Sequence, residues 1–177
     1  MSVPDEERTM AEGDPRRSHN RLLDMLPNGE RTTLMSKMRG RAITPHDVLQ
    51  APGESMREVH FPLSGVVSLM TPMESGEAIQ VATIGREGMV GVHAFLGGGP
   101  LGNGQAISQV PGEMLSLDVD AFRAIVDDDG KLRSVMLAYT QALFAQISQA
   151  VACNGVHEIQ QRTAKWLLET HDRAEAG

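Results

Sequence analysis

Through the middle of the chain, short β-prone runs alternate with clusters of Gly, Pro, Ser and acidic residues. Arg41–Thr44, Asp47–Gln50, Glu58–Pro62, Val66–Thr71, Glu77–Ile84, Gln105–Val110 and Glu113–Leu117 read as strands. Pro52-Gly53, Ser64-Gly65, Glu74-Ser75-Gly76, Arg86-Glu87-Gly88, the run Gly97-Gly98-Gly99-Pro100 and Pro111-Gly112 punctuate them. Regular short strands with such turns predict an antiparallel sandwich or barrel, a group that includes jelly rolls. No strand–helix–strand alternation points to a parallel sheet.

Helical spacing takes over at the two ends. Asn20 precedes Leu22, Leu23, Met25 and Leu26 and can cap a short helix, which Pro27 and Gly29 end. A second short helix follows over Glu30–Met38. After the strands, Asp118 and Asp120 open a helix over Val119–Val126, closed by the solvated turn Asp127-Asp128-Asp129-Gly130. From Lys131 to Asp172 there is no proline. One continuous helix there would span roughly 60 Å at ~1.5 Å per residue. Its apolar positions, Met136, Leu143, Ile147, Ala150, Ala164 and Leu168, follow a three–four spacing interrupted by Asn154, His157 and Gln161. Gly155 weakens it by about 1 kcal/mol relative to Ala. A small sandwich cannot cover so long a helix. The stripe is therefore expected to meet a second copy, with Met136, Leu143, Ile147 and Ala150 in the seam. The alternative is that the helix folds back over its own sandwich.

Composition narrows the class. A hydrophobic fraction of 41% supports one core, but aromatics are 3%, so aliphatic residues and 11 methionines must fill it. The net charge of −7 argues against this chain alone gripping DNA or an anionic membrane. A single cysteine, Cys153, excludes an internal disulfide and fits a reducing cytoplasm. Residues 1–18 hold Pro, Gly and charges without an apolar run, and read as a disordered tail rather than a secretory signal. No stretch approaches the ~20 apolar residues of a membrane span.

Several local patterns, in order, resemble the Crp/Fnr (cAMP receptor protein) family of bacterial regulators. Pro52-Gly53-Glu54 precedes Val59-His60-Phe61-Pro62 and Ser64-Gly65-Val66-Val67, like the family's Gly-Glu turn, aromatic strand and Gly-X-Val. Glu74-Ser75-Gly76-Glu77 looks like its hairpin turn, and Gly88-Met89-Val90-Gly91 like the start of its phosphate-binding cassette. Phe122-Arg123 sits in the helix after the barrel. Arg162, Ala164, Leu167 and Leu168 resemble the end of the long dimer helix, and from Met89 to Leu168 the register holds without a gap.

The resemblance implies a ligand pocket, and there the chain departs from the family. The family pattern places a Glu after the cassette glycine for the ribose, and an Arg-Ser pair for the phosphate. Here Val92 follows Gly91, and Gly102 and Asn103 stand in place of Arg and Ser. Between Glu87 and Phe122 there is no Lys or Arg. A planar, permanently charged fork suits a phosphate, and a buried phosphate without one is costly. Ile147 and Ser148 occupy the positions that face the purine in the family; Ser148 can donate a hydrogen bond and Ile147 cannot. The pocket, formed from Gly91, Val92, His93, Gly102, Asn103, Ile147 and Ser148, is thus expected to be degenerate. It is filled by its own side chains (Val92, Phe95, Ile107), or takes a less charged small molecule, or holds a metal or haem through His93.

Other chemistry finds little support. Gly97–Gly102 has the letters of a dinucleotide fingerprint, but Pro100 and the lack of a following helix make it a loop. The six histidines show no His-X-His or His-Glu-X-X-His spacing, and no Gly-X-Ser-X-Gly is present. No enzyme activity, cofactor or metal site is expected. Cys153 reads as a small apolar residue in the seam, or alternatively as a redox or cross-dimer thiol.

The fold expected is mainly β with helices: a double-stranded β-helix (jelly roll) sensor over residues 19–130, then a long dimerisation α-helix over 131–173. No winged helix-turn-helix, which follows in the family, is expected in this chain. The function expected is the sensory and dimerisation portion of a Crp/Fnr-like regulator: a cytoplasmic homodimer with an unidentified small-molecule effector, and no DNA or membrane binding of its own. The alternative is a stand-alone small-molecule-binding module acting on another protein.

Overall fold

The computed structural model describes residues 19–97, 104–128 and 130–174. The expected tail, residues 1–18, lies outside the described residues. All seven expected strands form, with ends within a residue or two: β1 (Arg39–Ile43), β2 (Val48–Gln50), β3 (Glu58–Pro62), β4 (Val66–Pro72), β5 (Ala78–Ile84), β6 (Gln105–Val110) and β7 (Gly112–Asp118). They pair antiparallel in two sheets, ordered β1-β7-β3 and β2-β6-β4-β5. Consecutive strands β1 and β2, and β6 and β7, lie in different sheets, so the chain folds as a two-layer jelly roll around one core. Gly65 makes one of the corners. Its φ is +78°, and a Cβ there would stand 2.6 Å from the Val110 carbonyl oxygen, so only glycine fits between β3 and β4.

The core is aliphatic, as the composition requires, with one aromatic anchor. Phe61 of β3 meets Phe122 edge-on at 6.2 Å between centroids. Phe122 belongs to the helix after the strands, α4 (Val119–Asp128), whose first turn is capped by Asp118: the amides of Asp120 and Ala121 donate to Asp118 Oδ1 at 2.9 and 3.1 Å. At the N-terminal end, α1 (Arg21–Asp24) and α2 (Asn28–Met35) bring Leu23 and Leu34 to the same core. Asn20 caps α1 as its sequence position implies, accepting from Leu23 N–H at 3.1 Å. Its amide also donates to the carbonyls of Pro62 (2.8 Å) and Gly88 (2.9 Å), which ties α1 to β3 and to the turn after β5.

The C-terminal segment differs from a single helix over 131–173. A helix from Gly130 to Val156 is followed by a break at His157–Glu158 and another helix over Ile159–Ala174; with α3 (Val92–Phe95) before them, these are α5 and α6. Two causes are visible. Gly155 lies in the last turn of α5, where helix propensity is lowest. Gln161 then supplies half of a capping box, its Oε1 accepting from the Glu158 amide at 3.2 Å and restarting the helix. From there α6 turns back over the β4–β5 sheet. Trp166 Nε1 donates to Gln109 Oε1 at 3.3 Å, and Arg173 pairs with Glu87 at 2.7 Å.

The seam residues fall elsewhere than expected. Leu132, Met136, Thr140, Leu143 and Cys153 form the inward stripe of α5, buried within the protomer; Ile147 and Ala150 are half-buried beside them. Within α5 the three–four pattern is answered by the chain's own fold, whereas Ala164 and Leu168 of α6 stay exposed, and Gln146 Nε2 anchors α5 to the sheet by donating to the Thr83 carbonyl at 3.0 Å. The adjoining face, about a quarter turn round the helix, carries Leu137, Phe144 and Val151, which are 50%, 64% and 60% exposed, Phe144 at the edge of the inward stripe. Among the described residues no helix is long and apolar enough to cross a membrane.

Candidate ligand pocket

The pocket begins with a turn. Gly91 adopts φ +102° and a Cβ there would stand 2.4 Å from Met56 Sδ, so neither the backbone nor the space admits a side chain. Just before it, Val90 and His60 exchange backbone hydrogen bonds of 2.8 and 3.0 Å. Just after it, α3 presents Val92 and His93. Three side chains hold this turn. Tyr139 of α5 donates to the Met89 carbonyl at 2.9 Å, and burial pushes its phenol well above the ordinary value. Arg123 of α4 donates to the Ala94 carbonyl at 2.7 Å. Arg133 lies over the Phe95 ring at 5.7 Å.

Behind the turn is a cavity of about 330 Å³. Leu69, Thr71, Val81 and Ile84 of β4 and β5 form one wall; Met89, Gly91, Val92 and His93 form another. Thr140, Leu143, Phe144 and Ile147 of α5 close it. Gln50 enters from β2, buried, and its Nε2 stands 3.3 Å from His93 Nε2 and 3.4 Å from the Glu54 carbonyl. A carbonyl accepts only from the amide nitrogen, so the Gln50 amide is oriented and His93 Nε2 is an acceptor. The imidazole is therefore neutral, with its proton on Nδ1. Burial, and secondarily the Arg123 charge, hold its pKa below the usual value in agreement. Among the described residues no Lys, Arg, Asp or Glu lines the cavity.

Gly91, Val92, His93 and Ile147 all line this cavity. Ser148 does not: it is exposed on α5 and away from the cavity. Gly102 and Asn103 lie outside the described residues. Of the side chains expected to fill the cavity, Val92 lines it, whereas Phe95 turns toward Arg133 and Ile107 belongs to β6 opposite Val48. Thr140, and Leu143, which the sequence assigns to the seam, line the cavity too, because they share the inward helical face of Ile147. Gln50 had no local signal, because its burial follows from the pairing of β2 with β6.

A second, more open groove of about 640 Å³ runs under α6, beside Gln80, Arg162, Lys165 and Trp166. Cys153 faces it, buried, 3.7 Å from Lys165 Nζ, so its thiol is not on the outer face of α5. Among the described residues no three His, Cys, Asp or Glu side chains cluster as a metal site.

Comparison with known proteins agrees with this geometry. The family model described as the cyclic nucleotide-binding domain matches residues 41–129. None of the curated proteins compared with the chain matches it. Among solved structures, the c-di-GMP-responsive global regulator CLP of Xanthomonas campestris shares 11% identity at a TM-score of 0.66, over 81% of this chain and 72% of that one. A CooA mutant from Carboxydothermus hydrogenoformans shares 15% identity at 0.61, over 88% of this chain and 99% of that one. The Thermus thermophilus catabolite activator protein shares 18% identity at 0.57, over 76% and 61%. At these identities the likeness is one of fold.

Proposed function

The chain belongs to the cyclic nucleotide-binding domain family, and from that premise we propose that it is the sensory and dimerisation portion of a Crp/Fnr-like transcription regulator whose pocket no longer holds a cyclic nucleotide. One observation carries the reading. The cavity sits where α3, β4, β5 and α5 meet, yet no charged side chain lines it among the described residues, and no Lys or Arg occurs between Glu87 and Phe122. A phosphate buried there would keep only backbone amides as partners, and an uncompensated charge is expensive. The role is regulatory rather than catalytic.

Dimerisation is supported by the outer face of α5. Leu137, Phe144 and Val151 recur every seven residues and are exposed, which aligns them as one position of a heptad along the helix. Phe144 also lines the cavity, so occupancy can bias how two α5 helices meet. The net charge of −7 supports the absence of DNA binding by this chain alone.

Sedimentation at micromolar concentration tests the reading and should give a dimer. Phe144→Glu combined with Leu137→Glu should weaken association on the order of 100-fold, because charges would enter the centre of an apolar seam. The inward Leu143 is unsuitable for this purpose, since a charge there would disrupt the protomer. A wild-type chain that stays monomeric at tens of micromolar would remove the dimerisation half of the proposal.

A further inference from the structure

We infer that the cavity behind Gly91 takes a neutral, largely apolar small molecule carrying one hydrogen-bond acceptor, which the Nδ1–H of His93 receives. The inference rests on the sensor reading above and names the ligand class of that same pocket.

Size and lining come first. At about 330 Å³ the cavity lies at the lower end of the ~300–1,000 Å³ usual for small-molecule sites. Its walls are mainly aliphatic and aromatic: Leu69, Val81 and Ile84 on the sheet side, Leu143, Phe144 and Ile147 on α5. Such walls reward apolar surface and give no compensation to a charge.

The polar groups set the acceptor. Thr140 has already committed its hydroxyl proton to the Met136 carbonyl at 2.8 Å. The Gln50 amide nitrogen is held between the Glu54 carbonyl and His93 Nε2. With Nε2 accepting, His93 keeps an N–H at Nδ1, and this donor has no partner among the described residues. Thr71 adds a hydroxyl at the same cavity. A ketone, ester or ether oxygen suits these donors. A carboxylate or phosphate would present its charge to a neutral imidazole in an apolar chamber.

Isosteric probes separate the possibilities. The purified chain would be titrated calorimetrically with 2-acetylnaphthalene, 2-naphthoate, naphthalene and cAMP. The ketone should bind saturably, one per protomer, at least tenfold more tightly than the carboxylate of the same size. His93→Leu should cost the ketone about tenfold and leave naphthalene unchanged. Val81→Phe, which fills the cavity from β5, should abolish binding of both, with circular dichroism checking that the variant folds. If it does not fold, Ile147→Phe fills the cavity from α5 instead. Equal or tighter binding of 2-naphthoate overturns the ligand class. So does the absence of binding by every probe, or ketone binding that survives a folded cavity-filling variant; these leave the sensor reading standing. Saturable micromolar binding of cAMP overturns both.

Discussion

Replacing Asn20 with alanine should lower the unfolding free energy by about 3 kcal/mol, one of the two largest changes expected outside the aromatic core. The side chain is fully buried and joins three backbone groups: the Leu23 amide, the Pro62 carbonyl and the Gly88 carbonyl. Truncation removes a helix cap, worth about 1 kcal/mol, and strands two buried carbonyls, each of which costs about another. Asn20→Asp sharpens the test. It keeps the capping oxygen but turns the donor into an oxygen facing two carbonyls, so it should be at least as damaging at neutral pH. Urea unfolding measures both. A loss below about 1 kcal/mol for the alanine variant would mean that water reaches and satisfies these groups.

Acidification should cost a similar amount through His60. This imidazole is buried on β3, its Nδ1 2.7 Å from Ser116 Oγ on the facing position of β7. Burial lowers its pKa to about 4, with Glu58 opposing and Arg41 reinforcing the shift. Because the folded value lies below the unfolded one of about 6.5, the unfolded chain binds more protons in between. Stability from this group is therefore complete above pH 6.5 and falls progressively to pH 4, by about 3 kcal/mol, then levels off. Half-buried His93 acts in the same direction. Asp47, held below the ordinary carboxylate value mainly by the Thr44 amide, acts only at lower pH. His60→Gln should flatten the profile between pH 4 and 6.5 in guanidinium titrations. A slope unchanged in that variant would assign the acid sensitivity to other groups.

Much of the fold was readable because its signals are local. Turn residues such as Ser64-Gly65 and Glu74-Ser75-Gly76 bound strands of near-fixed length, and Asn20 and Asp118 each stand one step before an apolar helix start. The pocket turn was readable only through the resemblance, in which Gly91 stands at the cassette glycine; the positive φ that requires glycine there is a structural finding. What escaped is non-local. Helix α5 is apolar on two adjoining faces, and periodicity cannot say which face its own sheet will claim; Met136 and Leu143 went inward, while Phe144 was left largely exposed at the cavity's edge. Gln50 and Ile147 meet only because β2 pairs with β6 and α5 crosses β5. The break after Val156 was half-visible, in Gly155 and Gln161, but its direction depends on Trp166 and Arg173 finding partners far along the chain.

That docked α6 has a spectroscopic corollary. Trp166 is the only tryptophan, and Tyr139 the only tyrosine. Excited beyond the tyrosine band, the chain emits from one indole, half-shielded against the sheet and hydrogen-bonded to Gln109. Its emission maximum therefore reads the undocking of one helix, whereas far-ultraviolet dichroism reads the whole fold. Where the two denaturation curves separate, the earlier indole transition is α6 letting go before the jelly roll does, and its own midpoint multiplied by its own slope gives the free energy of that local step.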